Sequence, residues 1–345
     1  MTLSLDPVAA GSAAGCASSA AGCASSAAGC ASSSAGSAGS AGAAAPLEHE
    51  YRPAHEVDLR ATLLPHRRGR HDPATVFADD GVWLAFRTEE GAATVRLTRS
   101  TTGIRMQAWG PGAASALDSI PALLGADDDW SELDAEAHPL VAEARHRYPG
   151  LRLTRSQRIV DALAAAVIEQ KITSTEAFRA WRMLVTKHGE PAPGPAPERM
   201  RVPPSAEGWH RIPSWDWHRA GVDPRRSRTV VEATARGAAL QRLAAREGAE
   251  AQRLLETFSG IGVWTSAEIV QRTHGDPDAV SFGDYHLSKT IGFALVGEEL
   301  DDDGLAELLE PWAGHRQRVV RLVLATGIAR PRHGARITIQ DHRDH

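Results

Sequence analysis

The sequence predicts a mainly α-helical protein with a small antiparallel β-sheet near its amino terminus. Three observations support this α+β fold class. The first 46 residues are of low complexity, short runs of alternating apolar and polar residues extend to residue 109, and apolar residues recur at helical spacing from residue 138 onward. A chain of 345 residues is long enough for two or three domains.

Residues 1–46 are predicted to form a disordered tail. From Ala9 to Ala45 the chain contains only Ala, Gly, Ser and the cysteines Cys16, Cys23 and Cys30, so it has too little apolar surface to offset the entropy of ordering. No cysteine follows Cys30, which excludes disulfides and cysteine-ligated metals from the rest of the chain. The amino terminus lacks a basic leader followed by a long apolar stretch, so we expect a cytoplasmic protein.

A small antiparallel α+β domain is predicted for residues 47–125. Its strands are expected at 82–87, 93–99 and 103–109, where apolar and polar residues alternate between turns rich in Gly and Asp. The domain boundary is placed near Gly125. A helical domain is predicted for 126–332, followed by a carboxyl-terminal tail at 333–345.

The helical region begins with an apolar stripe of Ile159, Leu163 and Val167, followed by a second helix that contains Phe178 and Trp181. Six prolines in 190–204 then predict a loop that joins two halves of the region. Further helices are predicted at 227–247, 249–257, 263–273, 284–296, 304–310 and 315–326.

Charge and hydropathy limit the classes of partner. The apolar fraction is 42%, and no apolar run approaches the roughly 20 residues of a membrane span. The net charge of −5 argues against a protein that coats nucleic acid, but arginines cluster locally. Such clusters suit either a nucleic-acid contact or a solvated helix face. They are Arg145, Arg147, Arg152, Arg155 and Arg158, and then Arg225, Arg226 and Arg228.

The segment 254–270, LLETFSGIGVWTSAEIV, predicts two helices joined by a tight turn. Gly260 and Gly262 let the backbone turn sharply and approach a ligand without a Cβ in the way. The second helix should begin near Val263, where free amides and the helix dipole favour a phosphate. A plain helix-to-helix turn is the alternative interpretation.

Asp284 lies in the segment DAVSFGDYHLSKTIG, 278–292, at a predicted helix start. Its carboxylate suits two roles. It could cap the helix, or it could project into a cleft and take part in catalysis.

Together these segments resemble the helix-hairpin-helix DNA glycosylases, and within them the 3-methyladenine DNA glycosylase II group. The motifs that carry the resemblance are FSGIGVWT (258–265) and GDYHLSK (283–289), and AAVIEQKITSTEA (165–177) is similar to the family helix that lies against the lesion. The resemblance covers roughly residues 50–330. It implies the two-lobed helix-hairpin-helix glycosylase fold, with the hairpin at 254–270.

The resemblance implies roles for individual residues. Asp284 would be the catalytic carboxylate, and the backbone of Gly260, Gly262, Trp264 and Thr265 would hold a DNA phosphate. The carbonyls of Glu256, Phe258 and Ile261 match the family's ligands for a monovalent cation, Na⁺ or K⁺. No other cofactor is expected, and an iron-sulfur cluster is excluded because no cysteine is available.

The implied activity is hydrolysis of the N-glycosidic bond of an alkylated or otherwise damaged base that has been flipped out of duplex DNA. Trp264 stands where bifunctional relatives have a Schiff-base lysine, so no lyase activity is expected. We expect a monomer whose partner is damaged duplex DNA in the nucleoid.

The implied substrate pocket contains Trp264, Glu268, Gln170 and Val323. Trp264 is the candidate ring for attracting a cationic alkylated base. Glu268 replaces the family's pocket tyrosine, Val323 its second pocket tryptophan, and Lys171 the apolar wedge that would contact DNA. Solvent-facing roles for Glu268 and Lys171 are the alternative, so the identity of the lesion stays open.

Other residues offer weaker candidates. The histidines, including His286, His315, His342 and His345, lack metal-ligand spacing. Trp209, Trp215 and Trp217 are expected to pack in the core rather than stack on bases. The alternative function is a noncatalytic helix-hairpin-helix protein that binds DNA or senses damage. Such a protein would have no chemical reason to place Asp284 where it is.

Overall fold

A computed structural model describes residues 45–328 and confirms the predicted fold class, a mainly helical protein with a small antiparallel sheet. The three cysteines, the carboxyl-terminal tail, His342 and His345 lie outside the described residues. The predicted domain boundaries stay predictions.

The sheet has five antiparallel strands in the order β1-β5-β4-β3-β2. Predicted strands 82–87, 93–99 and 103–109 correspond to β3, β4 and β5, whereas β1 and β2 were not predicted. Leu84 and Phe86 of β3 face the helix Ala113–Leu123, and Trp83, one residue out of phase, faces the opposite side of the sheet. The strands are β1 Leu47–Tyr51, β2 Thr75–Ala78, β3 Gly81–Thr88, β4 Gly91–Arg99 and β5 Ile104–Trp109.

The proline-rich segment is more than the predicted loop. It contains a two-stranded hairpin, β6 (Glu190–Pro191) and β7 (Arg201–Val202). Met200 and Val202 pack on Trp83 and Trp109, whose rings stack with centroids 5.6 Å apart. The segment therefore covers the second face of the sheet.

Fourteen α-helices occur within residues 45–328. The predicted helix 227–247 is interrupted: α8 ends at Thr234, and a new helix begins at Gly237. The predicted helix 263–273 matches α11. The helices are α1 Leu59–Leu63, α2 Ala113–Leu123, α3 Pro139–Arg147, α4 Ile159–Glu169, α5 Ser174–His188, α6 Ala206–His210, α7 Ser214–Ala220, α8 Pro224–Thr234, α9 Gly237–Arg242, α10 Gly248–Leu255, α11 Val263–Thr273, α12 Leu287–Val296, α13 Asp302–Leu308 and α14 Arg316–Ala325.

The helices form two groups, each with its own apolar core. Helices α4 to α11 enclose one core, in which Trp209 and Trp217 are fully buried beside Trp181. Trp215 is 66% exposed, so the expectation that it packs in the core is wrong. Helices α3, α12, α13 and α14 enclose the second core. A cleft lies between the two groups.

Much of the first arginine cluster is structural rather than solvated. The guanidinium carbon of Arg145 lies 4.8 Å from the centroid of the Trp130 ring, and Arg152 and Arg318 approach the same ring. In the second cluster, Arg226 is buried and donates to Asp223 and to the carbonyl of Ile168. Arg147, Arg225 and Arg228 remain exposed.

None of the helices in residues 45–328 combines the length and apolar character that crossing a bilayer requires. Over the same residues, no group of three or more His, Cys, Asp or Glu side chains is arranged to hold a metal ion.

Candidate active site

The hairpin joins α10 to α11 through a turn that depends on glycine. Gly260 has a φ of 85°, and a Cβ built there would lie 2.1 Å from the hydroxyl oxygen of Thr229 on α8. Any other residue at position 260 would therefore be disfavoured both by the left-handed backbone and by the close approach of Thr229. Gly262 has extended backbone and nothing within 4 Å of a Cβ, so its surroundings are open.

The amino terminus of α11 presents free backbone donors. Gly262 precedes the helix, and no side chain within residues 45–328 caps it. The first amides of an α-helix have no intrahelical acceptor, so those of Val263, Trp264 and Thr265 face the open space at Gly262. This arrangement is suited to an anion such as a phosphate.

Gln170 ties the hairpin to the end of α4. Its side-chain amide donates to the carbonyl of Gly260 at 2.9 Å and to the hydroxyl of Thr265 at 2.8 Å. Lys171 follows at once, exposed and with a φ of 56°, a conformation that L-residues seldom adopt. We call Gln170 and Lys171 the hairpin tether.

Asp284 caps a helix, one of the two roles considered for it, and also contacts the hairpin helix. Its Oδ1 accepts the amides of His286 and Leu287 at 2.8 and 3.0 Å, so the carboxylate caps the start of α12. Its Oδ2 accepts the indole N–H of Trp264 at 3.3 Å. The carboxylate is thus held from two sides, by the amino end of α12 and by the hairpin helix.

Burial acts to raise the pKa of the Asp284 carboxyl, while hydrogen bonds from the amide of His286 and the indole of Trp264 act to lower it. These donors point at the carboxylate, so they favour its ionised form. The arrangement provides a fixed negative charge rather than a proton donor.

A cleft opens beside Asp284 between the two helix groups. Its empty volume, including the mouth, is 760 Å³. α11, α14 and the segment after α1 supply most of its walls. The lining residues are Thr62, Pro65, Arg67, Arg68, Arg152, Leu153, Thr154, Phe178, Glu268, Gln271, Arg272, Ser281, Asp284, Leu287, Gln317, Val320, Arg321 and Leu324.

Among solved structures, the chain is similar to the 3-methyladenine DNA glycosylase of Archaeoglobus fulgidus, with a TM-score of 0.68 and 16% identity over 81% of this chain and 97% of that one. The chain has the fold of the helix-hairpin-helix DNA glycosylases. The 8-oxoguanine glycosylase/lyase of Clostridium acetobutylicum, bound to duplex DNA with cytosine opposite 8-oxoguanine, matches with a TM-score of 0.63 and 11% identity over 82% and 97% of the two chains. No protein-family model and no curated protein matches the sequence.

Within this glycosylase fold, the predicted pocket residues lie in different places. Glu268 lines the cleft and is 7% exposed, so it does not face solvent. Trp264 donates to Asp284 and Gln170 donates to the hairpin, but neither residue lines the cleft. Val323 is fully buried in the second core. Its neighbour Leu324 faces the cleft instead, because the two side chains point to different sides of α14.

Glu268 is paired with two neighbouring residues. Its carboxylate pairs with Arg272 at 2.8 Å, one helical turn along α11, and accepts the hydroxyl of Ser281 at 2.5 Å. Burial acts to raise the pKa of Glu268, and Arg272 and Ser281 oppose it. The residue is a buried half of an ion pair in the cleft wall.

Sequence reasoning missed most of the cleft arginines. Arg68 pairs with Glu169 at 3.0 Å, and both side chains are nearly fully buried. Arg321 donates to the carbonyl of Ala61 at 3.1 Å. A partial signal existed for Glu268 and Arg272, whose spacing of four residues predicts an ion pair on a helix. Nothing in the sequence shows that the segment after α1 reaches this cleft.

Proposed function

We propose that this protein is a DNA glycosylase that hydrolyses the N-glycosidic bond of a damaged base flipped out of duplex DNA, with Asp284 as the catalytic carboxylate. One observation carries the proposal. Asp284 lines the cleft while it is held by the amides of α12 and by Trp264 of the hairpin helix. A phosphate contact at the hairpin and a charge at the cleft wall are therefore fixed relative to each other.

The chemistry follows from that fixed charge. The bond between C1′ and the base nitrogen breaks, its electron pair leaves with the base, and the sugar gains oxocarbenium character. The Asp284 carboxylate stabilises the positive charge as it develops. Water then adds to C1′ and loses one proton, and the departing base takes up a proton.

We further propose that the enzyme is monofunctional. A lyase that forms its Schiff base through lysine needs that side-chain amine at C1′, and the sequence contains only Lys171, Lys187 and Lys289. None of them lines the cleft. Lys187 binds Asp216, and Lys289 lies over the ring of Tyr285.

The hairpin proposal includes a DNA phosphate at the amides after Gly262 and a monovalent cation at the carbonyls of Glu256, Phe258 and Ile261. The carbonyl of Phe258 already accepts the amide of Ile261 at 3.1 Å. A carbonyl oxygen has a second lone pair, so this bond is compatible with a cation ligand.

The test is release of free base from duplexes that each contain one modified base, with alkylated, oxidised and deaminated bases all represented. Binding to an abasic-site duplex is measured alongside. Release by wild type without strand cleavage supports a monofunctional glycosylase. Tight binding with no release from any duplex would instead favour a noncatalytic damage sensor.

A further inference from the structure

The lining of the cleft carries more positively than negatively charged groups. Five guanidinium groups and two carboxylates line it: Arg67, Arg68, Arg152, Arg272, Arg321, Glu268 and Asp284. The carboxylate of Glu268 pairs with Arg272 and accepts the hydroxyl of Ser281, so its charge is largely offset within the cleft wall. A cationic alkylated base would therefore enter against like charges.

The cleft also lacks the rings that would attract a cation. Phe178 is the one aromatic side chain among the lining residues of the described chain. Trp264 turns its N–H toward Asp284 and does not line the cleft. Cation-π attraction needs an aromatic face within about 6 Å of the cation, so the lining offers little of it.

Arg321 is the arginine best placed to recognise a base. It lines the cleft from α14 together with Val320 and Leu324, and it donates to the carbonyl of Ala61. Over residues 45–328, no carboxylate oxygen lies within 4.0 Å of its guanidinium nitrogens, whereas Arg68 and Arg272 each pair with a carboxylate. Burial lowers the pKa of Arg321 to about 10, with a smaller contribution from Arg272, so the group stays charged at neutral pH.

We propose that the cleft selects an uncharged or anionic damaged base that presents carbonyl oxygens, the class produced by oxidation or deamination, and that Arg321 is its specificity-determining residue. The guanidinium donates only, and its planar fork matches acceptors on the edge of a base. This inference rests on the proposed function and narrows its substrate class.

The test compares single-lesion duplexes that contain 8-oxoguanine, hypoxanthine or uracil with duplexes that contain 7-methylguanine or 3-methyladenine. We expect kcat/KM for at least one carbonyl lesion to exceed that for the cationic lesions by about 100-fold. Arg321→Gln should lower that kcat/KM by roughly 10- to 100-fold and leave binding to an abasic-site duplex within about threefold, since a charge-assisted hydrogen bond is lost only at the base. Arg321→Lys should retain part of the activity. Arg105→Gln, an exposed arginine on β5, is the matched control and should behave as wild type.

Several outcomes would overturn the inference. Faster release of the cationic lesions would do so while leaving the glycosylase proposal intact. If Arg321→Gln loses abasic-duplex binding and activity on every lesion to the same extent, Arg321 contacts a DNA phosphate and not the base. To separate the two proposals, lesion binding is also measured with the Asp284→Asn variant. Selective binding of carbonyl lesions without release by wild type would contradict only the proposed function.

Discussion

Replacing Asp284 with Asn removes one negative charge and retains the helix cap. Oδ1 of the new amide can still accept the amides of His286 and Leu287, and Asn is about as good a helix cap as Asp. The amide NH₂ group of the new side chain takes the place of Oδ2, so the indole N–H of Trp264 loses its acceptor. We expect the stability cost to be about 1 kcal/mol, the value of one such hydrogen bond.

The loss of catalysis should be much larger. A sugar seated against the carboxylate would place its developing positive charge about 4 Å away, where the interaction is about 4 kcal/mol at an effective dielectric constant of about 20. A loss of about 4 kcal/mol corresponds to roughly a thousandfold lower rate. Abasic-duplex affinity should change by no more than about threefold, because the hairpin amides are unaffected.

Single-turnover base release measures the rate, and fluorescence anisotropy with an abasic-site duplex measures binding. Asp301→Asn is the matched control, since Asp301 caps α13 through Gly304 and does not line the cleft. A rate in Asp284→Asn above about one tenth of the wild-type value would refute the electrostatic argument. Equal base-release rates in Asp284→Asn and Asp301→Asn would show that Asp284 acts only as a helix cap.

Three further results are expected. Gly260→Ala should lower the free energy of unfolding by about 1–3 kcal/mol in urea denaturation, because φ is 85° and the Cβ would meet Thr229. Gly262→Ala should leave the free energy of unfolding unchanged, because the space around a Cβ at this position is open. It should weaken abasic-duplex binding roughly tenfold, because the Cβ would meet the phosphate that binds there. Unchanged affinity would contradict the phosphate site. Burial raises the pKa of Asp161 from 3.8 to about 6, against an opposing effect of Arg158. The folded state therefore binds more protons than the unfolded state between these values, so stability should fall by up to about 3 kcal/mol as pH rises from about 4 to about 6. Asp161→Asn should remove this decline, and an unchanged slope would assign it to another group.

Local patterns were sufficient for most elements of the fold. Three strands with clear alternation and helix α11, bounded by Gly262, were predicted close to their observed limits. β1 and β2 were missed because neither carries a run of alternating residues long enough to be distinguished from a loop. They become strands by pairing with β5 and β3, which is a tertiary effect.

The candidate site was only partly predictable. Asp284 and the hairpin are close in sequence, so their motif was visible, whereas the cleft brings together residues from α1 to α14. Val323 was assigned to the pocket although its side chain points into the core, because a shift of one residue rotates a helical position by about 100°. The cleft arginines were unpredictable for a related reason, since their partners lie far away in sequence, as with Arg321 and Ala61.

The hairpin tether sets a fixed spacing in the molecule. Gln170 is clamped to Gly260 and Thr265, and the backbone at Lys171 is turned by its left-handed conformation directly after that clamp. For a protein that holds a phosphate at the hairpin, the side chain of Lys171 then stands at a constant offset from that phosphate. With DNA bound, Lys171 would therefore always face the same nucleotide, counted from the phosphate that the hairpin holds.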